Sequence, residues 1–132
     1  MALSIIWDGD LRFHSGPGGP AINLDSNDPA VVSPMQGIAY SLMGCMGMDV
    51  AHILQKGRHD LQGLTVEFGS ERAAEAPKRY TKVHLTFRVK GNVPKDAVER
   101  AIALSHEKYC SVSNSLRQDI VFTSAIEFES GE

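Results

Sequence analysis

The stretch SLMGCMGMDVAHILQKG, residues 41–57, is the longest apolar segment of this 132-residue chain and holds Cys45, one of only two cysteines. At helical spacing its apolar side chains point to almost every side, as in a helix that is buried over most of its surface. Gly44 and Gly47 flank the cysteine, and glycine inside a helix costs about 1 kcal/mol relative to alanine. We predict a buried central helix whose glycines let neighbouring backbone approach the sulfur.

Both ends of this helix carry sequence signals. Ser33 can cap the first turn, Pro34 suits the first helical position, and Gln36 completes a Ser-x-x-Gln capping box. At the other end, Gly57 follows Lys56 and predicts the left-handed residue that stops the helix. The predicted helix therefore runs from residue 33 to about residue 56.

Strand patterns and a second helix complete the predicted fold. The predicted strands cover residues 3–9, 11–16, 21–25, 61–72, 79–91 and 119–129. The clearest is the fifth, where apolar and polar residues alternate strictly. An amphipathic helix is predicted over residues 94–109, with a short helix or turn after Cys110. The order predicts an α+β fold, a mostly antiparallel sheet packed around the central helix, in one domain over residues 1–132.

Composition excludes several classes of protein. The chain has 13 Lys and Arg against 16 Asp and Glu, a net charge of −3, and no basic run, which argues against nucleic-acid binding. The first ten residues lack the features of a signal peptide, and Asp49 and His52 interrupt the apolar stretch, which argues against a membrane span. Two cysteines without a secretion signal are expected to be thiols in a reducing cytoplasm.

Two familiar cysteine sites fail on spacing. Cys45 shares a helix face with Asp49 and His52, but His52 lies about 10 Å further along the helix axis, beyond the reach of a catalytic base. A zinc site could draw on Cys45, Asp49, His106 and Cys110. No C-x-x-C or H-x-x-x-H spacing is present, however, so we expect neither a metal nor a cofactor.

The reactivity of the cysteines stays open on this evidence. A lone cysteine in an apolar helix is commonly an inert, buried side chain. Cys110, in HEKYCSVSNSL, lies where one predicted helix ends and another begins, and unpaired amides at a helix start favour a thiolate. An inert and a reactive pair are both compatible with these patterns.

Two segments together carry a family resemblance. SPMQGIAYSLMGCMGMDVAHILQKG, residues 33–57, and AIALSHEKYCSVSNSL, residues 101–116, resemble the OsmC/Ohr family of thiol peroxidases, with GSERAAEAPKRYTKVHLTFRV, residues 69–89, between them. The match is nearer to the OsmC-like branch. The resemblance implies an intertwined α+β homodimer with two sites at the subunit interface.

The resemblance also implies a chemistry. Cys45 matches the thiol that attacks an organic hydroperoxide and becomes a sulfenic acid, and Cys110 matches the thiol that then forms a disulfide with it, which an external dithiol reduces. Arg12 is the candidate for the family's thiolate-activating arginine. The family's helix opens with Pro-Glu, whereas here Met35 and Gln36 follow the proline. The missing glutamate favours an alternative, a non-enzymatic thiol redox sensor or small-ligand-binding dimer of the same fold.

Overall fold

The computed structural model describes residues 2–129, which form two compact units divided between residues 40 and 41. These described residues contain two three-stranded sheets, one built from the first three strands and the other from the last three. The architecture is α+β, as predicted. The assignment of residues 1–132 to a single domain stays a prediction.

The first unit contains a small antiparallel sheet in the order β1-β2-β3. Its strands are β1, Ile5–Trp7; β2, Arg12–Ser15; and β3, Asn23–Asp25. Between β1 and β2, Gly9 and Asp10 both have positive φ angles, 99° and 46°. The Arg12 amide donates to the Gly9 carbonyl at 3.0 Å and closes the turn. The predicted hairpin and the third short strand are confirmed.

The central helix α1, Pro34–Lys56, begins at the predicted capping box. The Ser33 amide donates to Gln36 Oε1 at 3.0 Å, and the Gln36 amide donates to Ser33 Oγ at 3.2 Å. The Ser33 carbonyl accepts the first helical bond, from the Gly37 amide, at 2.8 Å. Side chains thus satisfy two amides that a helix start otherwise leaves unpaired.

The end of α1 differs from the prediction by one residue. Arg58, not Gly57, has the left-handed backbone, with φ at 62°. The His59 amide donates to the Leu54 carbonyl at 3.1 Å. The Arg58 amide donates to the Gln55 carbonyl at 2.9 Å, which completes a Schellman motif. A Cβ at Gly57 would lie 3.1 Å from the His59 ring, so glycine there makes room for that ring and the left-handed turn follows it.

The second sheet has the order β4-β5-β6. Its strands are β4, Asp60–Arg72; β5, Tyr80–Asn92; and β6, Val121–Glu129. The β4–β5 pair is antiparallel, whereas β5 and β6 are parallel because the connection between them crosses over through helices. Three of the four pairings between described strands are antiparallel, in agreement with the predicted sheet type.

The core of the second unit confirms the predicted alternation in β5. Four alternate side chains of that strand are buried, Val83, Leu85, Phe87 and Val89. From α1 the buried side chains recur every fourth residue, at Leu42, Met46, Val50 and Leu54. Other sides of α1 are exposed in the single chain, where Tyr40 is 62% and Met48 is 74% exposed. Within one described chain, α1 is therefore buried along a stripe and not on most sides.

The second predicted helix is divided into two parts. Regular α-helix α2 covers Lys95–Leu104, and Ser105–Tyr109 continues it as a π-helical turn, called the π turn below. The short helix α3, Ser111–Ser115, follows Cys110 as predicted. The sequence pattern placed all of residues 94–109 in one amphipathic helix, because a single wide turn leaves no periodic signal.

Among the described residues, α1 is the helix long and apolar enough to cross a membrane by length and composition. Its most apolar window is 28% buried in the protein. Core helices of proteins without membrane spans pass the same test, so this property does not separate the two cases.

The capping box generates a stability prediction. Ser33→Ala should lower the free energy of unfolding by about 1 kcal/mol, because the Gln36 amide loses its side-chain acceptor. Urea unfolding followed by circular dichroism measures this difference. Ser41→Ala, an exposed position inside the same helix, is the matched control and should leave stability unchanged or slightly raised. Equal losses in the two variants would contradict a capping role for Ser33.

Candidate functional site

The fold of the second unit brings the two cysteines together beside a carboxylate. Cys45 Sγ, Cys110 Sγ and a carboxylate oxygen of Asp49 all lie within 4.8 Å of one another. Cys45 and Asp49 are one turn apart on α1, so their side chains share a face. Cys110 reaches them from the junction between the π turn and α3. These three residues are called the Cys-Asp-Cys cluster below.

The π turn determines where Cys110 lies. The Cys110 amide donates to the Ser105 carbonyl at 2.7 Å, which is the wide bond that ends this turn. Cys110 then acts as the N-cap of α3, where its sulfur accepts a hydrogen bond from the Ser113 amide at 3.2 Å. Asn114 Nδ2 donates to the Cys110 carbonyl at 2.9 Å. The backbone on both sides of the sulfur is therefore held by hydrogen bonds.

Asp49 is held by a residue that the sequence analysis did not single out. Ser105 Oγ donates to Asp49 Oδ2 at 2.8 Å, across 56 residues of sequence. Ser105 is fully buried and Asp49 is half-buried. The one available signal was a serine on the apolar face of the helix predicted over residues 94–109.

The two thiols differ in environment. Cys110 has no exposed surface, whereas Cys45 is half-buried. Burial, together with a hydrogen bond to the Cys45 thiol, raises the pKa of Cys110 to about 11. Cys110 is therefore a neutral thiol at neutral pH, and Cys45 is the sulfur with access to solvent.

Three other predicted residues lie outside the cluster. Arg12 is on β2 in the first unit, where it is exposed and its Nη2 donates to the Asp8 carbonyl at 3.3 Å. His52 is exposed on α1, in agreement with its exclusion as a base for Cys45. His106, considered as a zinc ligand, stacks on the Phe122 ring at a centroid distance of 4.0 Å.

The predicted role of the two glycines is wrong for the described chain. A Cβ added at Gly44 would meet nothing within 4 Å. A Cβ added at Gly47 would lie 3.4 Å from a methyl group of Val66, which is a side chain and not backbone. No described backbone therefore presses on the helix at either position.

A small cavity of about 50 Å³ lies next to the cluster. Leu42, one turn before Cys45, lines it, as does Ser113, whose amide contacts the Cys110 sulfur. Its other walls are apolar at Val83, Leu116, Ile120 and Phe122 and polar at His106, Arg117 and Gln118. The cavity therefore has a mixed lining of apolar and polar side chains.

Comparisons with known proteins agree with this fold. The profile of the OsmC-like protein family matches residues 27–125. The Escherichia coli K12 protein YhfA is 39% identical over 130 residues, which are 96% of this chain and 97% of YhfA.

Two solved structures illustrate the structural match. A hypothetical protein from Aquifex aeolicus VF5 has a TM-score of 0.88 at 26% identity, covering 99% of this chain and 97% of that one. An organic hydroperoxide resistance protein from Elizabethkingia anophelis has a TM-score of 0.72 at 16% identity, covering 98% and 97%. The second similarity concerns the fold alone. The family profile and the extent of the match to YhfA together place this chain in the OsmC-like protein family.

Proposed function

We propose that this protein reduces organic hydroperoxides with Cys45 and Cys110 as its redox pair. The observation that carries the proposal is the position of the two sulfurs within 4.8 Å of each other, although they come from distant parts of the sequence. Both cysteines are free thiols in the described structure. Two free thiols this close to each other are candidates for a disulfide once one of them is oxidised.

The environments of the two thiols support a division of roles. Cys45, the accessible one, attacks the terminal oxygen of the hydroperoxide as a thiolate; the O–O bond breaks, and the departing alkoxide takes a proton to become an alcohol. The sulfur is left as a sulfenic acid. Cys110 then attacks that sulfur, the S–S bond forms, and the hydroxyl leaves as water. An external dithiol donates the two electrons that restore both thiols.

The substrate class is supported by the surroundings of the cluster and by relatives. Five apolar side chains line part of the adjoining cavity, and they offer contact to a small alkyl group of an organic hydroperoxide. Fold neighbours from Elizabethkingia anophelis and Legionella pneumophila are named organic hydroperoxide resistance proteins. Together with family membership, these names favour a peroxide over the substrate of a cysteine hydrolase.

Met35 stands directly after Pro34, where the family's Pro-Glu opening has its glutamate. The next residue, Gln36, accepts a hydrogen bond from the Ser33 amide through its side chain and so serves the capping box. Neither an apolar side chain nor an uncharged amide can orient an arginine by an ion pair. Arg12 stays the candidate for thiolate activation. Its guanidinium is exposed, and its described side-chain hydrogen bond goes to the Asp8 carbonyl.

A non-enzymatic thiol redox sensor is the second candidate function. The observation that favours it is the Asp49 carboxylate within 4.8 Å of both sulfurs. A carboxylate at this range repels the negative charge that a thiolate must carry, which opposes fast attack on a peroxide. In this alternative the same disulfide forms, but slowly and without turnover.

We also propose a homodimer that works in the cytoplasm. Tyr40, Gly44 and Met48 recur every fourth residue on α1; the two large side chains are exposed, and the space around Gly44 is open. An exposed apolar stripe with a small residue at its centre suits close packing by another subunit. The same arrangement would give Gly44 the close contact that it lacks within one chain.

The redox pair predicts distinct outcomes for two serine variants. Cys45→Ser should lower consumption of cumene hydroperoxide to the background rate, because the attacking sulfur is gone. Cys110→Ser should still react once and stop at a sulfenic acid, which dimedone traps and mass spectrometry detects. Wild-type protein given one equivalent of peroxide should lose both free thiols to an intramolecular disulfide.

The outcome separates the two candidate functions. Repeated turnover with dithiothreitol as reductant supports the peroxidase, and a single slow oxidation without turnover supports the sensor. Peroxide consumption by Cys45→Ser at the wild-type rate would overturn both. Circular dichroism of each variant checks that its fold is intact.

The proposed dimer predicts an effect of filling the open space on α1. Wild-type protein should sediment as a dimer at micromolar concentration, and Gly44→Leu should shift it towards monomer, since the new side chain has room within one chain but would clash with a packed partner. Lys78→Leu, which adds the same side chain on the exposed β4–β5 connection, is the control and should stay dimeric. A monomeric wild type would contradict the proposal.

A further inference from the structure

We infer that the Cys-Asp-Cys cluster of the reduced protein is a Zn²⁺ site, with Cys45 Sγ, Cys110 Sγ and a carboxylate oxygen of Asp49 as the three protein ligands. This inference does not rest on the proposed peroxidase or sensor function. It follows from the ligand types and from how their positions are held.

The distances suit one small ion. With Zn–S bonds of about 2.3 Å, ligand atoms around a tetrahedral zinc lie roughly 3.5–4 Å apart. The three atoms here are within 4.8 Å of one another, which is near the spacing that a shared zinc ion requires. Two of the ligands come from consecutive turns of α1, which fixes their spacing before any ion binds.

Neighbouring groups orient two of the ligands. Ser105 Oγ donates a hydrogen bond to Asp49 Oδ2 and so holds the carboxylate in its position beside the sulfurs. Such hydrogen bonds from outside the ligand set are typical of built metal sites, because they fix the direction of the ligand. The Ser113 amide donates to Cys110 Sγ, and a donor of this kind stabilises a metal-bound thiolate.

The donor set selects zinc over harder cations. Two sulfurs and one oxygen suit Zn²⁺, whereas Ca²⁺ and Mg²⁺ require oxygen ligands in greater number. Three protein ligands leave a fourth tetrahedral position for water. His106 does not belong to this group of ligand atoms, and its ring is stacked on Phe122. Common zinc motifs have ligands close together in sequence. Here the fold instead brings Cys110, the residue before α3, to two ligands on α1.

Zinc binding and thiol oxidation exclude each other. On binding, zinc replaces the thiol protons, which pass to solvent, and both sulfurs become thiolate ligands. A disulfide has no thiolate to offer, so oxidation of the pair releases the ion. Conversely, bound zinc coordinates one lone pair of each sulfur, and this protects both sulfurs from alkylation and oxidation.

The experiment titrates the full-length reduced protein with Co²⁺ and then displaces it with Zn²⁺. We expect one Co²⁺ per chain with the intense near-ultraviolet absorption of sulfur-to-cobalt charge transfer, lost when zinc is added. Competition with a chromophoric chelator then gives the zinc affinity. Asp49→Asn should weaken zinc binding by at least about tenfold, and Ser105→Ala by about tenfold, the range seen for groups that orient a metal ligand.

Two controls keep the test decisive. Glu99→Gln removes one exposed carboxylate of α2 outside the cluster and should bind zinc as the wild type does. Wild-type protein alkylated with iodoacetamide should lose the charge-transfer band, which tests the site without any substitution that could disturb folding. Zinc bound equally well by the alkylated protein, or a cobalt spectrum without sulfur charge transfer, would overturn the inference. Neither readout involves a peroxide. The zinc inference can therefore fail while the proposed function holds, and the proposed function can fail while the zinc inference holds.

Discussion

The hydrogen bond between Ser105 and Asp49 is the interaction on which the arrangement of the site depends. A buried hydroxyl and a half-buried carboxylate each need a hydrogen-bond partner, and here the two groups bond to each other. The bond ties the middle of α1 to the first residue of the π turn. Because the same turn ends at Cys110, fixing its start against α1 also fixes the distance from Cys110 to Cys45.

Much of the fold could be predicted from local patterns, because those patterns act within a few residues. The alternation around Leu85, the capping box at Ser33 and the helix after Cys110 all depend on near neighbours, and the structure has each of them. The π turn could not be predicted, since a single wide turn is too short to leave a periodic signal of its own in the sequence. The left-handed residue after α1 was predicted at Gly57 and lies at Arg58. A glycine can indicate either a left-handed backbone or a place without room for a Cβ, and at Gly57 the nearby His59 ring leaves no such room.

The site was predictable in its residues but not in its assembly. The resemblance selected Cys45 and Cys110, and helical spacing placed Asp49 beside Cys45. No rule of spacing could show that all three converge, because β4, β5 and α2 separate α1 from Cys110 in the sequence. Ser105 was missed for the same reason. Its role is visible only once its long-range partner is known. Gly44 presents a different case, because glycine destabilises the helix there and no contact within one described chain explains its presence.

Asp49 is the residue at which the possible chemistries of the cluster diverge. A carboxylate beside two thiols hinders any reaction that needs a free thiolate, because it adds a second negative charge in a partly buried place. The same carboxylate favours binding of a divalent cation, which neutralises that charge and gains a third ligand. The fold holds Asp49 in this position with a fully buried serine instead of turning it to solvent. The arrangement therefore suits thiols that stay unreactive while a cation occupies the cluster.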